Sequence, residues 1–229
     1  MKKLFSIIFF VLLTGIINAH PWKPSHYVIV DTDGGVDDIK AISMLLASRD
    51  VRVLAITVSP GVLSAEEAYI KVRSLLNSYY HEGLLVGINR DAVYKPADHA
   101  LAKESIWGSE KEIDINQAPD ALPLLKDVLS TEKTKVSFIS LGSLNTAYMA
   151  IRNLQLFREQ VKEIIWSADG ENDKTGFNYN IDKKASAAIL KQEIPVKIVR
   201  AFDIANNVFY DNEILKSLSG VKTPYGRKI

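Results

Sequence analysis

Short runs of apolar and β-branched residues alternate along this chain with longer segments in which apolar residues recur every three or four positions. The short runs are typical of parallel strands covered on both faces, and the longer segments are typical of amphipathic helices. The predicted strands lie at residues 27–30, 51–58, 84–88, 136–141, 161–166 and 195–199. The predicted helices lie at residues 36–47, 64–80, 119–129, 144–157, 181–192 and 212–219.

This alternation predicts an α/β fold, a doubly wound and mostly parallel sheet with helices on both faces, formed by one domain over residues 20–229. Residues 89–118 have weak periodicity and are expected to form a long irregular segment. Parallel strands joined by helical crossovers end at the same edge of a sheet, where such proteins bind their ligands. We therefore expect four segments that follow strands to lie together, namely residues 31–38, 59–62, 140–145 and 167–180.

The first residues have the pattern of a secretory signal, because Lys2 and Lys3 precede an apolar run over residues 4–17 and a small residue, Ala19. We expect residues 1–19 to be a signal peptide that directs the chain to the periplasm, an uncleaved anchor being the alternative. The chain has no cysteine, which excludes disulfides and thiolate metal sites. Loss of the two lysines would change the formal net charge from +1 to −1. No basic patch suggests nucleic acid or an anionic membrane surface as a partner.

The strongest local signal is a cluster of four aspartates within eight positions, directly after the first predicted strand and before the first predicted helix. Like charges this close raise one another's pKa values, and a hard divalent cation such as Ca²⁺ or Mg²⁺ relieves that conflict with oxygen ligands. Single aspartates at such positions also serve as helix caps or turn residues, which is the alternative reading of Asp37 or Asp38. The cluster as a whole predicts a metal site.

Three stretches together resemble the inosine-uridine-preferring nucleoside hydrolase family. The acidic stretch, residues 31–38, matches that family's signature Asp-Thr-Asp-Pro-Gly-hydrophobic-Asp-Asp, except that Gly34 replaces the proline. The Leu-Gly-Ser-Leu-Asn sequence at 141–145 and the Phe-Asn pair at 177–178 extend the match. The resemblance covers nearly all of residues 20–229 and implies a nucleoside hydrolase-like fold.

The resemblance also implies a function, the calcium-dependent hydrolysis of ribonucleosides to ribose and free base. Its catalytic base would be Asp33, which would take a proton from the attacking water. The expected partner is a small-molecule nucleoside, and homo-oligomer formation is left open. The implied calcium ligands are Asp33, Asp38 and the backbone carbonyl of Asn145; the implied ribose contacts are Asp37, Asn178 and Asn172; and Asp31 would support the loop.

Departures from the family pattern point to reduced or lost activity. Gly176 stands where the family has a glutamate, and Trp107 stands where it often has a histidine. The chain is expected to lack the family's C-terminal part, which carries a further calcium-ligating aspartate and often a histidine for the leaving base. The four histidines of this chain are expected to be surface or loop residues.

Two other classes of protein remain open at this stage. A phosphohydrolase of the haloacid dehalogenase type also ends its first strand in Asp-x-Asp-Gly, and Ser140 would match its second-motif hydroxyl. That class gives Asp37 and Asp38 no role. The other alternative is a periplasmic protein that binds calcium and ribose without catalysis.

Overall fold

The computed structural model describes residues 23–168, 170, 172, 174–200 and 212–228. The expected signal peptide at residues 1–19 lies outside them. The strands are β1 His26–Thr32, β2 Val51–Val58, β3 Leu85–Ile88, β4 Val136–Ser140, β5 Val161–Ala168 and β6 Val196–Arg200. All pair in parallel, in the order β3-β2-β1-β4-β5-β6. The predicted α/β fold is confirmed.

The helices are α1 Val36–Ala47, α2 Ala65–Ser78, α3 Ala100–Glu104, α4 Ala121–Thr131, α5 Asn145–Asn153, α6 Gln155–Gln160, α7 Phe177–Ile181, α8 Lys183–Ile189 and α9 Asn212–Ser219, with a 3₁₀ turn at Ile115–Gln117. No helix in the described part of the chain is long and apolar enough to cross a membrane. The bounds of α1, β2 and α9 are those that the sequence predicts.

Three predicted elements differ from the structure. The helix expected at 181–192 is reduced to α8, Lys183–Ile189. The single helix expected at 144–157 is divided into α5 and α6, because Leu154 has extended backbone angles of φ −120° and ψ 109°. The loop expected at 167–180 contains the end of β5 and all of α7 except its last residue. The long irregular segment at 89–118 is confirmed, with only α3 and the 3₁₀ turn inside it.

Helices cover both faces of the sheet because alternate residues of β1 point to opposite sides. Val28 and Val30 belong to one apolar cluster, which includes Ile39 of α1 and Val72 of α2. Ile29 belongs to a second cluster, which contains side chains of α4 and α5 together with Phe138 and Trp166. The β-branched run of β1 is thus buried from both sides.

The strand order places a switch point between β1 and β4. From β1 the chain builds outward through β2 to β3, then returns to the other side of β1 and builds outward through β4 to β6. The connections therefore diverge at the carboxyl ends of β1 and β4, and a crevice opens there. This is where the chain places its acidic stretch.

Candidate active site

A cavity of about 140 Å³ lies at the carboxyl ends of β1 and β4. All four segments that the sequence predicts to meet at this edge contribute to its wall. The lining residues are Asp33, Asp37, Asp38, Val62, Leu141, Ser167, Ala168, Phe177 and Asn178. The structure therefore brings together Asp33, Asp37, Asp38 and Asn178 among the residues that the sequence analysis selected.

Short hydrogen bonds within the acidic loop fix its conformation. The Thr32 hydroxyl donates to Asp38 Oδ2 at 2.7 Å and accepts from the Gly34 N–H at 3.0 Å. Gly34 has a φ of +82°, in the left-handed region that a residue without a Cβ adopts readily. The Gly35 N–H donates to Asp33 Oδ1 at 3.2 Å. The loop thus turns sharply and directs its carboxylates toward the crevice.

Asp31 lies beneath the cavity and does not line it. Its side chain is fully buried, and it accepts hydrogen bonds from the hydroxyls of Thr57 at 2.6 Å and Ser59 at 3.1 Å. Burial raises the pKa of Asp31 to about 7, although hydroxyl hydrogen bonds, with that of Thr57 first, oppose the shift. These contacts join the ends of β1 and β2, which agrees with the supporting role expected for Asp31.

The geometry around Asp31 also argues against the phosphohydrolase alternative. A nucleophilic aspartate at the start of Asp-x-Asp-Gly must reach substrate, whereas both oxygens of Asp31 accept hydrogen bonds inside the protein. The matching hydroxyl, Ser140, is buried and donates to the Ser143 carbonyl at 2.8 Å. Neither group faces the cavity.

Asp33 and Asp38 form a buried pair of carboxylates. Burial raises the pKa of both groups, and each is raised further by negative charge nearby: Asp37 acts on Asp33, and Asp33 acts on Asp38. Asp33 Oδ2 has no hydrogen-bond partner among the described residues, although it is inaccessible to solvent. An unpaired buried oxygen beside a second carboxylate has the donor chemistry of a hard cation site.

These carboxylates supply only part of a metal coordination shell. Within the described ranges, no group of three or more His, Cys, Asp or Glu side chains is arranged to hold a metal ion. Ca²⁺ takes six to eight oxygen ligands. A calcium ion at Asp33 and Asp38 would therefore draw its remaining ligands from carbonyls, water or substrate hydroxyls.

Asn178 joins the two sides of the crevice. It is 8% exposed, and its Nδ2 donates to the carbonyls of Leu141 at 2.7 Å and Ser167 at 3.0 Å. The Leu141 carbonyl directly follows β4, and the Ser167 carbonyl belongs to β5. Groups from two strands therefore hold the Asn178 amide in place. Asp37, by contrast, is exposed at the cavity rim.

Besides Asp31, two predicted site residues do not line the cavity. The Asn145 side chain is held between Asn89 Nδ2, at 3.1 Å, and the Asp182 carboxylate, at 2.5 Å. Asn172 is exposed, and its Oδ1 accepts from the Lys174 N–H at 2.9 Å, which closes a local turn. The carbonyl role of Asn145 and the ribose contact of Asn172 stay predictions.

An aromatic group beside the cavity is not predicted by any pattern in the sequence. The rings of Tyr94 and His99 each meet Phe177 edge to face, with centroid distances of 6.4 and 5.6 Å. His99 lies in the irregular segment just before α3, as the sequence predicts for a surface or loop residue, but its contact with Phe177 is not predicted. No local pattern marks this contact, because the partners are some eighty residues apart. The only available signal was the length of the irregular segment at 89–118, since such segments often carry function.

Comparison with known proteins places this arrangement in a family. The family model described as "Inosine-uridine preferring nucleoside hydrolase" matches residues 28–229. The non-specific ribonucleoside hydrolase RihC of Escherichia coli strain SE11 is 22% identical over 201 residues, which cover 83% of this chain and 66% of RihC. The chain thus spans just under two thirds of the length of that relative.

Solved structures share the fold. An inosine-guanosine nucleoside hydrolase superposes with a TM-score of 0.69 at 18% identity, covering 89% of this chain and 70% of that one. A plant nucleoside hydrolase superposes with a TM-score of 0.68 at 22% identity, covering 90% of this chain and 69% of that one. With a family match over almost the whole described chain, the protein belongs to the inosine-uridine preferring nucleoside hydrolase family.

Proposed function

We propose that this protein hydrolyses the N-glycosidic bond of ribonucleosides, releasing ribose and the free base. One observation carries the proposal: the switch-point cavity holds Asp33, Asp37 and Asp38 within one wall and Asn178 in another. Carboxylates that line a cavity suit a reaction whose transition state carries positive charge on the sugar ring. The family match supports the same reaction class.

In this proposal Asp33 is the general base. Its Oδ2 is the buried oxygen without a hydrogen-bond partner among the described residues, and in the proposal it takes a proton from the water molecule that attacks the anomeric carbon. The Asp33 carboxylate is held in place by the Gly35 N–H on its other oxygen.

Asp37 and Asn178 would bind the ribose. Asp37 is at the rim, where its carboxylate can accept hydrogen bonds from sugar hydroxyls. The two carbonyls that hold Asn178 Nδ2 fix the orientation of its amide before substrate arrives. Prior fixing of a binding group lowers the entropy cost of substrate positioning.

A calcium ion fits the donors on Asp33 and Asp38, with the Asn145 carbonyl as the expected third ligand from the chain. When bound, the ion would supply positive charge that counters the repulsion between the two carboxylates and favours their ionised forms. Asp33 would then be ionised near neutral pH, as a base must be. Calcium dependence is part of the proposal and is tested with it.

The test is ribose release from inosine and from uridine by the purified chain, with CaCl₂ or with EDTA. We expect release with calcium, strong reduction with EDTA, and a loss of at least about 10²-fold in Asp33→Asn, since general-base catalysis contributes that much. Asp127→Asn, an exposed aspartate on α4, is the matched control. Wild-type turnover in Asp33→Asn would refute the assignment of the base. Calorimetric binding of Ca²⁺ and ribose with no base release would favour the non-catalytic alternative.

We also propose that residues 1–19 direct the chain across the inner membrane to the periplasm. The basic start and the apolar run over 4–17 support this. Fractionation of cells that express the full chain tests it, with a His20 N-terminus on the periplasmic form as the expected result. Retention of the chain in the cytoplasm would contradict it.

A further inference from the structure

A second cavity lies at the amino ends of the strands, at the opposite edge of the sheet from the acidic loop. Its volume is about 440 Å³, within the range of about 300–1,000 Å³ that is usual for small-molecule sites. Val161 begins β5 and Ile194 lies just before β6, and both line the cavity. The other lining residues are Ile151, Arg158, Gln192 and Glu193. The proposed hydrolysis uses none of these residues.

The floor of this cavity is apolar. Val161 and Ile194 are only 4% and 8% exposed, and Ile151 is half-buried. All three belong to the apolar cluster that packs against α4 and α5. Because this cluster reaches the surface at the cavity, an aliphatic group bound on the floor would be removed from water, which favours binding.

Hydrogen bonds fix two walls of the cavity before any ligand arrives. Gln192 Nε2 donates to the Ile194 carbonyl at 2.6 Å, and the Ile194 N–H donates back to Gln192 Oε1 at 2.9 Å. On α6, the Arg158 guanidinium donates through Nη1 to the carbonyl of Ile151 in α5. A ligand that enters walls fixed in this way pays less entropy to order its site.

Two opposite charges line the cavity, and both are free to pair with a ligand. Within the described ranges, neither Arg158 nor Glu193 takes part in an ion pair. Arginine has five N–H donors, and of the guanidinium nitrogens of Arg158 only Nη1 has a partner among the described residues. Both side chains are exposed at the cavity, so each can turn toward a bound molecule.

We propose that this cavity binds a free aliphatic α-amino acid. The ligand carboxylate would pair with Arg158, its ammonium with Glu193, and its side chain would cover Val161 and Ile194. A guanidinium binds a carboxylate through two parallel hydrogen bonds. A fatty acid or an alkylamine would leave one of the two protein charges unpaired, and each end of a peptide carries only one of the two charges. The inference does not depend on the proposed hydrolysis, because the two cavities share no lining residue.

Titration calorimetry on the purified wild-type chain tests the ligand class with four probes. L-Leucine should bind saturably. N-acetyl-L-leucine lacks the ammonium and L-leucinamide lacks the carboxylate, so each should bind at least about tenfold more weakly, since a hydrogen bond to a charged group contributes that much. Glycine, which has no side chain for the floor, should also bind at least about tenfold more weakly.

Two variants then assign each charge to its partner. Glu193→Gln should bind L-leucine and N-acetyl-L-leucine about equally, and Arg158→Gln should bind L-leucine and L-leucinamide about equally. Arg152→Gln, at an exposed arginine of α5 that does not line the cavity, is the control and should bind as wild type does. Thermal melts establish that each variant is folded. No saturable binding of L-leucine to the wild type would overturn the proposal, as would equal affinity for all four probes. Wild-type preferences in both Glu193→Gln and Arg158→Gln would overturn it too.

Discussion

Gly61 lies so close to Asp33 that adding one methyl group there should displace the proposed catalytic base. A Cβ built on Gly61 would be 2.2 Å from Asp33 Oδ2 and 2.6 Å from Asp33 Cβ, well inside van der Waals contact. Asp33 has no space to retreat, because a Cβ on Gly142 would already meet its Cβ and Cγ at 3.2 Å. The Leu63 N–H also binds the Asp33 carbonyl at 3.1 Å. The aspartate is thus packed between two glycines.

We expect Gly61→Ala to destabilise the fold by about 1–3 kcal/mol, the usual cost of overpacking a close contact. A displacement of about 1 Å at a catalytic group costs about 10²-fold in rate. Ribose release and chemical denaturation, measured on the same preparation, test both effects. The control is Gly83→Ala, where an added Cβ meets no atom within 4 Å. That change should be neutral or stabilise the fold by up to about 1 kcal/mol, by restricting the unfolded chain. Equal stability and activity in the two variants would refute the packing argument.

Three other predictions concern the buried carboxylates. In EDTA at pH 8, Asp33→Asn should be at least as stable as wild type, because it removes one of the two buried carboxylates of Asp33 and Asp38. A large loss of stability, measured by urea denaturation, would contradict this. In EDTA, the free energy of unfolding of the wild type should fall as pH rises from about 4 to about 7. Burial raises the pKa of Asp31 from 3.8 to about 7. Over that range the folded chain therefore keeps a proton that the unfolded chain releases. The fall is at most about 4 kcal/mol at ~1.4 kcal/mol per pH unit, and a rise over that range would refute the argument. Calcium at 100 times its Kd should stabilise the fold by about 2.7 kcal/mol. At a fixed calcium concentration the gain should be smaller at pH 5 than at pH 8, because protons compete with calcium for the carboxylates. Equal gains at the two pH values in thermal melts would count against carboxylate ligation.

Much of the fold could be predicted because its signals are local. The β-branched run of β1 and the helical spacing of apolar residues in α1 identify a strand and a helix from about a dozen residues or fewer each. Parallel pairing then follows from the alternation, and the clustering of strand-end loops follows from parallel pairing. The division between α5 and α6 was not predictable in this way. The apolar pattern continues through Leu154, and neither glycine nor proline marks the break.

In the candidate site, too, the features with a local signal could be predicted and those set by tertiary packing could not. Asp33, Asp37 and Asp38 follow one strand, so their proximity was predicted by spacing alone. Asn178 reaches the same cavity from another strand end, as the topology required. The contact of His99 with Phe177 and the bond of Asn145 to Asp182 link residues far apart in the chain, and only packing determines them. Tertiary contacts of this kind leave no periodic signal in a single sequence.

Gly34 has a consequence for anyone who would alter this protein by family consensus. The family signature places proline at this position, yet proline requires a φ near −65° and has no N–H. Here φ is +82°, and the N–H binds the Thr32 hydroxyl that in turn holds Asp38. Even a single Cβ at this site would lie 2.9 Å from Leu63 and 3.0 Å from Ala68. The consensus residue is therefore incompatible with its present neighbours. The acidic loop can be exchanged for that of a relative only as a unit, together with the residues on which it rests.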